Sequence, residues 1–501
     1  MYELTSDENH LRTMLSLQES GMYYKIRSRL NLRHNFDFNN VPKEVTAKEK
    51  TLKNKLENSL TDTDNLNAFF QANETWVTFL DSLKTTFPTY YKMRYATIGQ
   101  SLNNIKNSIP SNTTVVRYFF VEDQLYAYLV TQDKEKLVPL DYSDVENYII
   151  SLGENQSNIK KTGAIINMLY KKLWQPFAKD IHTNNVIIVP DGGLYNLSFD
   201  ILTNAKIESY KNLATTSLLS QYNISYNYSL YLLDTTTNSK IYENSYVGFA
   251  PEFNDEMKDN YKVAITDTTQ IDQTYLKLLQ QPFNVGLTKS FGAIFDGNYF
   301  INENSTEQIF KNNANEHKII HIGTHAESNN ISPELSRLIF AKDVSTNSLE
   351  DGSLFTYEIY NTGLNSNLAI LTACETGKPT YQAGEGMISL AHAFNYAGSE
   401  SILTSLWKID ERSSAEIIES FYENIKIGKP KDEALRLAKL NYIKNTDGRT
   451  LAPEYWAGLV LMGDSASIEM QNNTTWWIWI LVAPLLLLIV VILVKRYLLP
   501  N

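Results

Sequence analysis

Up to about residue 108, apolar residues recur at three- and four-residue intervals in "ENHLRTMLSLQESGMYYKIRSRLNL", "KEVTAKEKTLKNKLENSL" and "LNAFFQANETWVTFLDSLKTTFPTYYKMRYATIGQSLNNIKNSI". That spacing predicts amphipathic helices. Breaks at "FDFNNVPKE" and "TDTDN" separate them, so helical hairpins or a long antiparallel pair are expected. There is no clean 34-residue repeat to establish a solenoid. From Thr113 the period changes, and "TTVVRYFFVEDQLYAYLVTQDKEKLVPL" reads as two β-branched and aromatic strands joined at "EDQ".

Helices are expected around "SDVENYIISL" and "TGAIINMLYKKLWQPFAKDI", followed by a short buried strand from Val186 to Val189 that "PDGG" ends. "SYVGFAPEF" gives another strand. Three more apolar runs, "EHKIIHIGTHAESNN", "NLAILTACETGKP" and "SESILTSLWKIDE", each end in polar turn residues. Helical patterns lie between and after them in "GMISLAHAFNYAG", "SSAEIIESFYENIKIG" and "KDEALRLAKLNYIKN". Alternating strands and helices imply a mostly parallel sheet covered on both faces, with ligands at the carboxyl ends of the strands. The polar residues of interest fall at those ends.

The longest apolar run is "WWIWILVAPLLLLIVVILV", Trp476 to Val494, 19 residues without a charge. At about 1.5 Å per helical residue it is long enough for a hydrocarbon core of roughly 30 Å. Trp476, Trp477 and Trp479 form an interfacial belt at one end, and Lys495, Arg496 and Tyr497 close the other. A single-pass C-terminal anchor is therefore expected. Topology stays open: the basic residues after the span place the body outside, whereas the acidic, polar start "MYELTSDENHLRTMLSLQ" shows no export signal. Either the protein is tail-anchored or its upstream signal is absent from this chain.

Composition narrows the function classes. With 43% hydrophobic and 12% aromatic residues in 501, the chain is a folded protein of several domains. A net charge of −11 and a pI near 5.3 argue against a nucleic-acid partner. One cysteine excludes an intrachain disulfide framework, a multi-cysteine zinc site and an iron–sulfur cluster. No cofactor or metal is expected.

That cysteine, Cys374, stands where an apolar run gives way to "ETG". Two readings compete: a small buried residue, or a nucleophile at a strand end. His325 ends the earlier run "KIIHIGTHA", 49 residues before Cys374. In a parallel sheet these two strand ends can be neighbours, and an imidazole there would act as base, or stabilise the ion pair, for a thiol that is otherwise only a few per cent ionised at neutral pH. The oxyanion of an attacked carbonyl would need backbone N–H donors, which Ala326 and the turn at Cys374 offer. His321 and His325 are spaced H-x3-H, but on a β-patterned run without the glutamate of a metalloprotease helix. His321 is expected to be a hydrogen-bonded strand histidine, and His392 a core or helix-surface one. "GEG" at Gly384 to Gly386 lacks the phosphate-loop pattern. Asp410 and Glu411 lie at another carboxyl edge; solvated loop carboxylates are expected, with reception of a basic side chain as the alternative.

"IIHIGTHAESN", "LAILTACETGKPTYQAGEGMISLAHAFNYAGSESILTSLWKIDERSSAEIIESFYENI", "GKPKDEALRLAKL" and "PEYWAGLVLMGD" closely resemble the CHAT domain, a caspase- and separase-like peptidase domain found behind TPR arrays in bacteria. The resemblance runs from about 110 to 465 and is densest from about 315. It implies a catalytic dyad at His325 and Cys374, with Ala326 where the family usually has glycine. It also implies a caspase-like, mostly parallel sheet flanked by helices. The expected order is a TPR-like helical region (1–108), a related non-catalytic α/β half (109–235), a catalytic half (236–465), a linker (466–475), the membrane helix (476–494) and a basic tail (495–501). The resulting expectation is a membrane-anchored cysteine endopeptidase acting on a protein or peptide, with an activating partner on its helical region. A silent, membrane-tethered interaction scaffold is the rival, and an acyl transferase using the same dyad a third reading.

Overall fold

The computed structural model describes residues 8–21, 41–61, 66–87, 90–91, 102–155, 158–233, 242–265, 269, 271–329, 332–344, 350–360, 362–372, 380–382, 386–388 and 390–470. Cys374, Gly384 and the expected span 476–494 lie outside them. Among the described residues no helix is long and apolar enough to cross a membrane.

The helical start holds in α1 (Glu8–Gly21), α2 (Lys43–Thr61) and α3 (Leu66–Thr86). Helices α2 and α3 share a small core around Phe79 and Leu83, with Val45, Leu52 and Trp76 against it. Helix α1 instead joins the sheet, burying Leu11 and Leu15 beside Phe119, Tyr128 and Val189.

An 11-stranded sheet follows; its first eight strands in the chain are β1 (Thr113–Val121), β2 (Gln124–Val130), β3 (Glu135–Leu140), β4 (Asn185–Val189), β5 (Asn223–Tyr226), β6 (Asn244–Ala250), β7 (Asn298–Ile301) and β8 (His317–Ile322). Beyond β8 come β9 (His325–Glu327), β10 (Arg337–Ile339), β11 (Ser353–Phe355), β12 (Ser366–Leu371), β13 (Thr380–Gln382), β14 (Gly386–Ile388), β15 (Ser401–Ser405) and β16 (Leu459–Gly463), of which β12, β15 and β16 complete the sheet. The order across the large sheet is β3-β2-β1-β4-β5-β16-β15-β12-β8-β6-β7. From β15 to β7 every neighbour is parallel, and so are β1, β4, β5 and β16. Strand β16 is antiparallel to β15. The carboxyl ends of β4 and β5 therefore open at one edge of the sheet, and those of β8, β12 and β15 at the other.

Helices cover this sheet: α4 (Val145–Asn155), α5 (Ile159–Leu173), α6 (Asp255–Ala264), α7 (Pro282–Ile294), α8 (Glu307–Asn313), α9 (Leu390–Tyr396), α10 (Glu411–Lys426) and α11 (Lys431–Asn445). Their boundaries follow local chemistry. Asn158 caps α5 by accepting from Lys161 N–H, and Pro282 opens α7 at a position whose N–H needs no partner. The amphipathic α10 turns Ile417, Ile418, Phe421, Tyr422 and Ile425 inward. The central strands β8 and β12 are buried along their whole length, as strands covered on both faces must be.

Two elements differ from the expectation, and one segment without an expected element forms a strand. The expected hairpin carries a third strand, β3, at the sheet edge, where Pro139 is tolerated because only one side pairs. The helix expected from Gly386 starts at Leu390, and Gly386–Ile388 pairs with Thr380–Gln382 instead. "LVLMG" forms β16, the strand that joins the two groups of parallel strands.

Candidate active site

Two neighbouring strands lead toward the two residues singled out in the sequence. Strands β8 and β12 are parallel, with Ile322 opposite Leu371, and Thr372 N–H donates to the Ile322 carbonyl at 3.0 Å. His325 lies three residues past Ile322, and Cys374 three past Leu371. Adjacent strands sit about 4.8 Å apart. Residues 373–379 are outside the described set, so Thr372 is the last placed residue before the thiol.

The exit of β8 is tightly built. Gly323 donates its N–H to the Phe249 carbonyl at 2.8 Å. A Cβ on Gly323 would stand 2.9 Å from Asn284 Cβ and 3.1 Å from Thr372 Oγ1. Thr324 is buried and donates its hydroxyl to the Ile339 carbonyl, fixing β9 against β10. Replacing Gly323 by Ala is expected to cost about 1–3 kcal/mol, because neither neighbour is a flexible side-chain end. Urea denaturation checks this; an unchanged midpoint would show that the strand exit is looser than its contacts.

His325 is half-buried, its ring 5.2 Å from that of Phe253. Its Nε2 lies 2.7 Å from the Leu279 carbonyl. A carbonyl only accepts, so Nε2 carries the proton and Nδ1 keeps its lone pair. The amide nitrogen of Gln281 approaches Nδ1 at 3.5 Å. Burial pushes the His325 pKa below its ordinary value; the Leu279 bond opposes this, and Lys408 and Lys258 add to it. The ring is thus a neutral imidazole at pH 7, held in one tautomer.

A second histidine supports this framework. His321 is fully buried, with Nδ1 3.1 Å from Tyr246 Oη and Nε2 3.2 Å from Thr372 Oγ1. Burial lowers its pKa to about 3, so it stays neutral and ties β6, β8 and the end of β12 together. It is the hydrogen-bonded strand histidine expected. Both ring nitrogens are engaged, which removes it from any metal pair with His325. His392 is also buried, with Nδ1 2.7 Å from Tyr360 Oη. The acidic trio Glu307, Glu350 and Glu358 surrounds the Lys311 ammonium at 2.7, 2.7 and 2.9 Å, and that cation neutralises part of its charge.

Beside His325, at the ends of β12 and β15, lies a cavity lined by Gln281, Thr372, Ser405, Glu411 and Ser414 over Leu371. Asp410 is exposed and caps α10 by accepting from Ser413 N–H at 2.9 Å. Glu411 departs from the solvated-loop expectation: it is half-buried and accepts the Asn284 N–H at 2.9 Å at the start of α7. Burial raises its pKa. Gln281 and Asn284 went unnoticed in the sequence, yet both are buried, and Gln281 Oε1 and both side-chain polar atoms of Asn284 lack a partner among the described residues. Buried polar groups are normally satisfied, so these atoms stand out at the start of α7, beside the exit of β8. Their only sequence signal was the "QPFN" helix start. Ala326 lies in β9 opposite Leu338.

Comparison with known proteins follows from this geometry. Among solved structures, the separase–securin complex of Saccharomyces cerevisiae matches with a TM-score of 0.45 at 10% identity, covering 80% of this chain and 34% of that one. A second structure of that complex gives 0.44 at 8%, covering 77% and 31%. The complex of the pro- and mature domains of RgpB from Porphyromonas gingivalis gives 0.37 at 12%, covering 65% and 76%. The chain spans about a third of the length of the separase chains it matches. No curated protein matches it. The CHAT domain pattern matches residues 163–464, a stretch that contains β4 to β16, His325 and Cys374, and the chain belongs to the CHAT domain family.

Proposed function

We propose that the protein is a cysteine endopeptidase in which Cys374 is the nucleophile and His325 its base, attached to a membrane by residues 476–494. The observation that carries this reading is His325 itself: a neutral imidazole, fixed by the Leu279 carbonyl with Nδ1 unprotonated, three residues past the end of β8, the strand paired with β12, after which Cys374 follows in the sequence.

Under this reading Nδ1 takes the thiol proton as sulfur adds to the peptide carbonyl carbon. The oxyanion is met by backbone N–H groups, for which Ala326 and Cys374 are the candidates. Collapse passes the proton from His325 to the leaving amine and leaves a thioester. Water then attacks, giving a proton back to His325, and the carboxylic acid departs as the thiol is restored. Glu411 and Gln281 line an adjacent recess of about 20 Å³, room for a water molecule rather than a substrate side chain. The helical first hundred residues are the proposed seat of a protein partner, with Phe70 and Val77 of α3 exposed there.

The test is cleavage of a mixed peptide library by the full chain in detergent, wild type against C374S. Cleavage is expected in the wild type alone. Because the active imidazole is the neutral form and its pKa is lowered, the acid limb of kcat/KM should lie below pH 6.5, with activity lost as pH falls through it. Equal cleavage by C374S would sink the assignment, and an acid limb above pH 6.5 would remove His325 as the base.

A further inference from the structure

At the opposite edge of the sheet, the carboxyl ends of β4 and β5 hold a fully buried charge pair that the proposed chemistry does not use. Arg117 of β1, level with Val189 at the end of β4, is 2% exposed. Its Nη1 donates to the carbonyls of Tyr118 at 2.6 Å and Pro190 at 2.8 Å, so the guanidinium is positioned by the sheet itself. Its Nε donates to Glu19 Oε1 of α1 at 2.8 Å. The other oxygen of Glu19 accepts from Ser229 Oγ at 2.5 Å and from Leu230 N–H at 2.7 Å.

All three donors thus come from β1 and from the loop after β5, and none from α1. Together they form a charged, hydroxyl and amide cradle of the kind that recognises a carboxylate. It sits where open α/β sheets bind their ligands, outside the carboxyl ends of parallel strands. What fills it is a side chain from a helix about a hundred residues earlier in the chain. That helix also makes polar contacts to the body, Arg12 to Glu135 at 2.7 Å, Gln18 to the Phe120 carbonyl at 2.7 Å, and Tyr231 Oη to the Ser16 carbonyl at 3.2 Å, beside the packing of Leu11, Leu15 and Met14. Leu11 and Leu15 are its fully buried apolar residues among those described, and Leu17 is 70% exposed.

We infer that Arg117, Ser229 and Leu230 N–H form a carboxylate-binding site in the first half of the sheet, and that Glu19 of α1 is its resident, displaceable ligand. The site is then the joint between the helical region and the α/β body. Helix α1 can leave and return as a unit while the sheet stays folded. This inference does not depend on Cys374 or on peptide cleavage.

Hydrogen exchange on the full chain tests it, with E19A and the isosteric E19Q. In both, α1 amides are expected to exchange about tenfold faster or more, the loss expected for a buried hydrogen bond to a charged group, while amides of β4 and β12 keep their wild-type rates. In E19A, which vacates the carboxylate position, sodium propionate should slow α1 exchange again, and sodium chloride at the same ionic strength should not. Unchanged α1 exchange, or faster exchange throughout the sheet in both variants, would overturn the detachable ligand. Equal responses to propionate and chloride would overturn carboxylate recognition.

Discussion

The H325A chain is expected to lose about 10²–10⁴ in kcat/KM for peptide cleavage, the range a positioned general base contributes. Alkylation of Cys374 at pH 7 should change far less. The reason lies in the lowered His325 pKa: under the proposed dyad, burial disfavours the charged imidazole, so a thiol beside a neutral ring is the resting pair expected. The proton moves as sulfur attacks, and losing the ring costs most in the transition state. Because the chain has one cysteine, alkylation reads that thiol alone. Thermal unfolding must accompany both assays, since the half-buried ring also packs against Phe253. Cleavage by H325A close to that of the wild type would remove the histidine from the mechanism. A thiol that slows as much as cleavage does would instead indicate a resting thiolate–imidazolium pair, contrary to the lowered pKa.

How far the sequence revealed this site depended on whether a residue advertised itself through its side chain. The runs ending at Ile322 and Leu371 were visible because buried parallel strands read as unbroken apolar segments, and His325 was visible because it breaks one. The group that orients His325 was not. A main-chain carbonyl at Leu279 leaves no mark in the sequence, and the chain returns there from 46 residues away. Gln281 and Asn284 were hidden for a related reason: their burial depends on how α7 meets β8, and a polar residue at a helix start ordinarily reads as a cap. Glu411 read as loop carboxylate because the start of α7, which supplies its amide partner, was unplaced. The edge strand β3 was obscured by Pro139. The docking of α1 was beyond reach, since the periodicity of a helix shows which face is apolar but not what covers it.

Replacing Lys439 by Met is expected to destabilise the protein by about 3–5 kcal/mol, as removal of one partner strands the other charge in the interior. Lys439 of α11 pairs with Asp200, and both side chains are buried. Asp200 lies between β4 and β5, whereas α11 comes from the far end of the chain, so the pair spans the two groups of strands. Arg436, one turn earlier, donates to the carbonyls of Leu219 and Ser220 on the same side. Together with β16, which pairs with β5 on one side and β15 on the other, these contacts link the two groups of strands. Urea denaturation of K439M should therefore show a lower midpoint with a single transition common to both groups of strands. The double variant D200N/K439M should recover most of the loss, because no charge is then left unpaired in the interior. A K439M midpoint within about 1 kcal/mol of wild type would mean that water reaches Asp200. A loss confined to one group of strands would mean that β16 alone does not couple them, so that the carboxylate site at one edge and His325 at the other would belong to separately unfolding units.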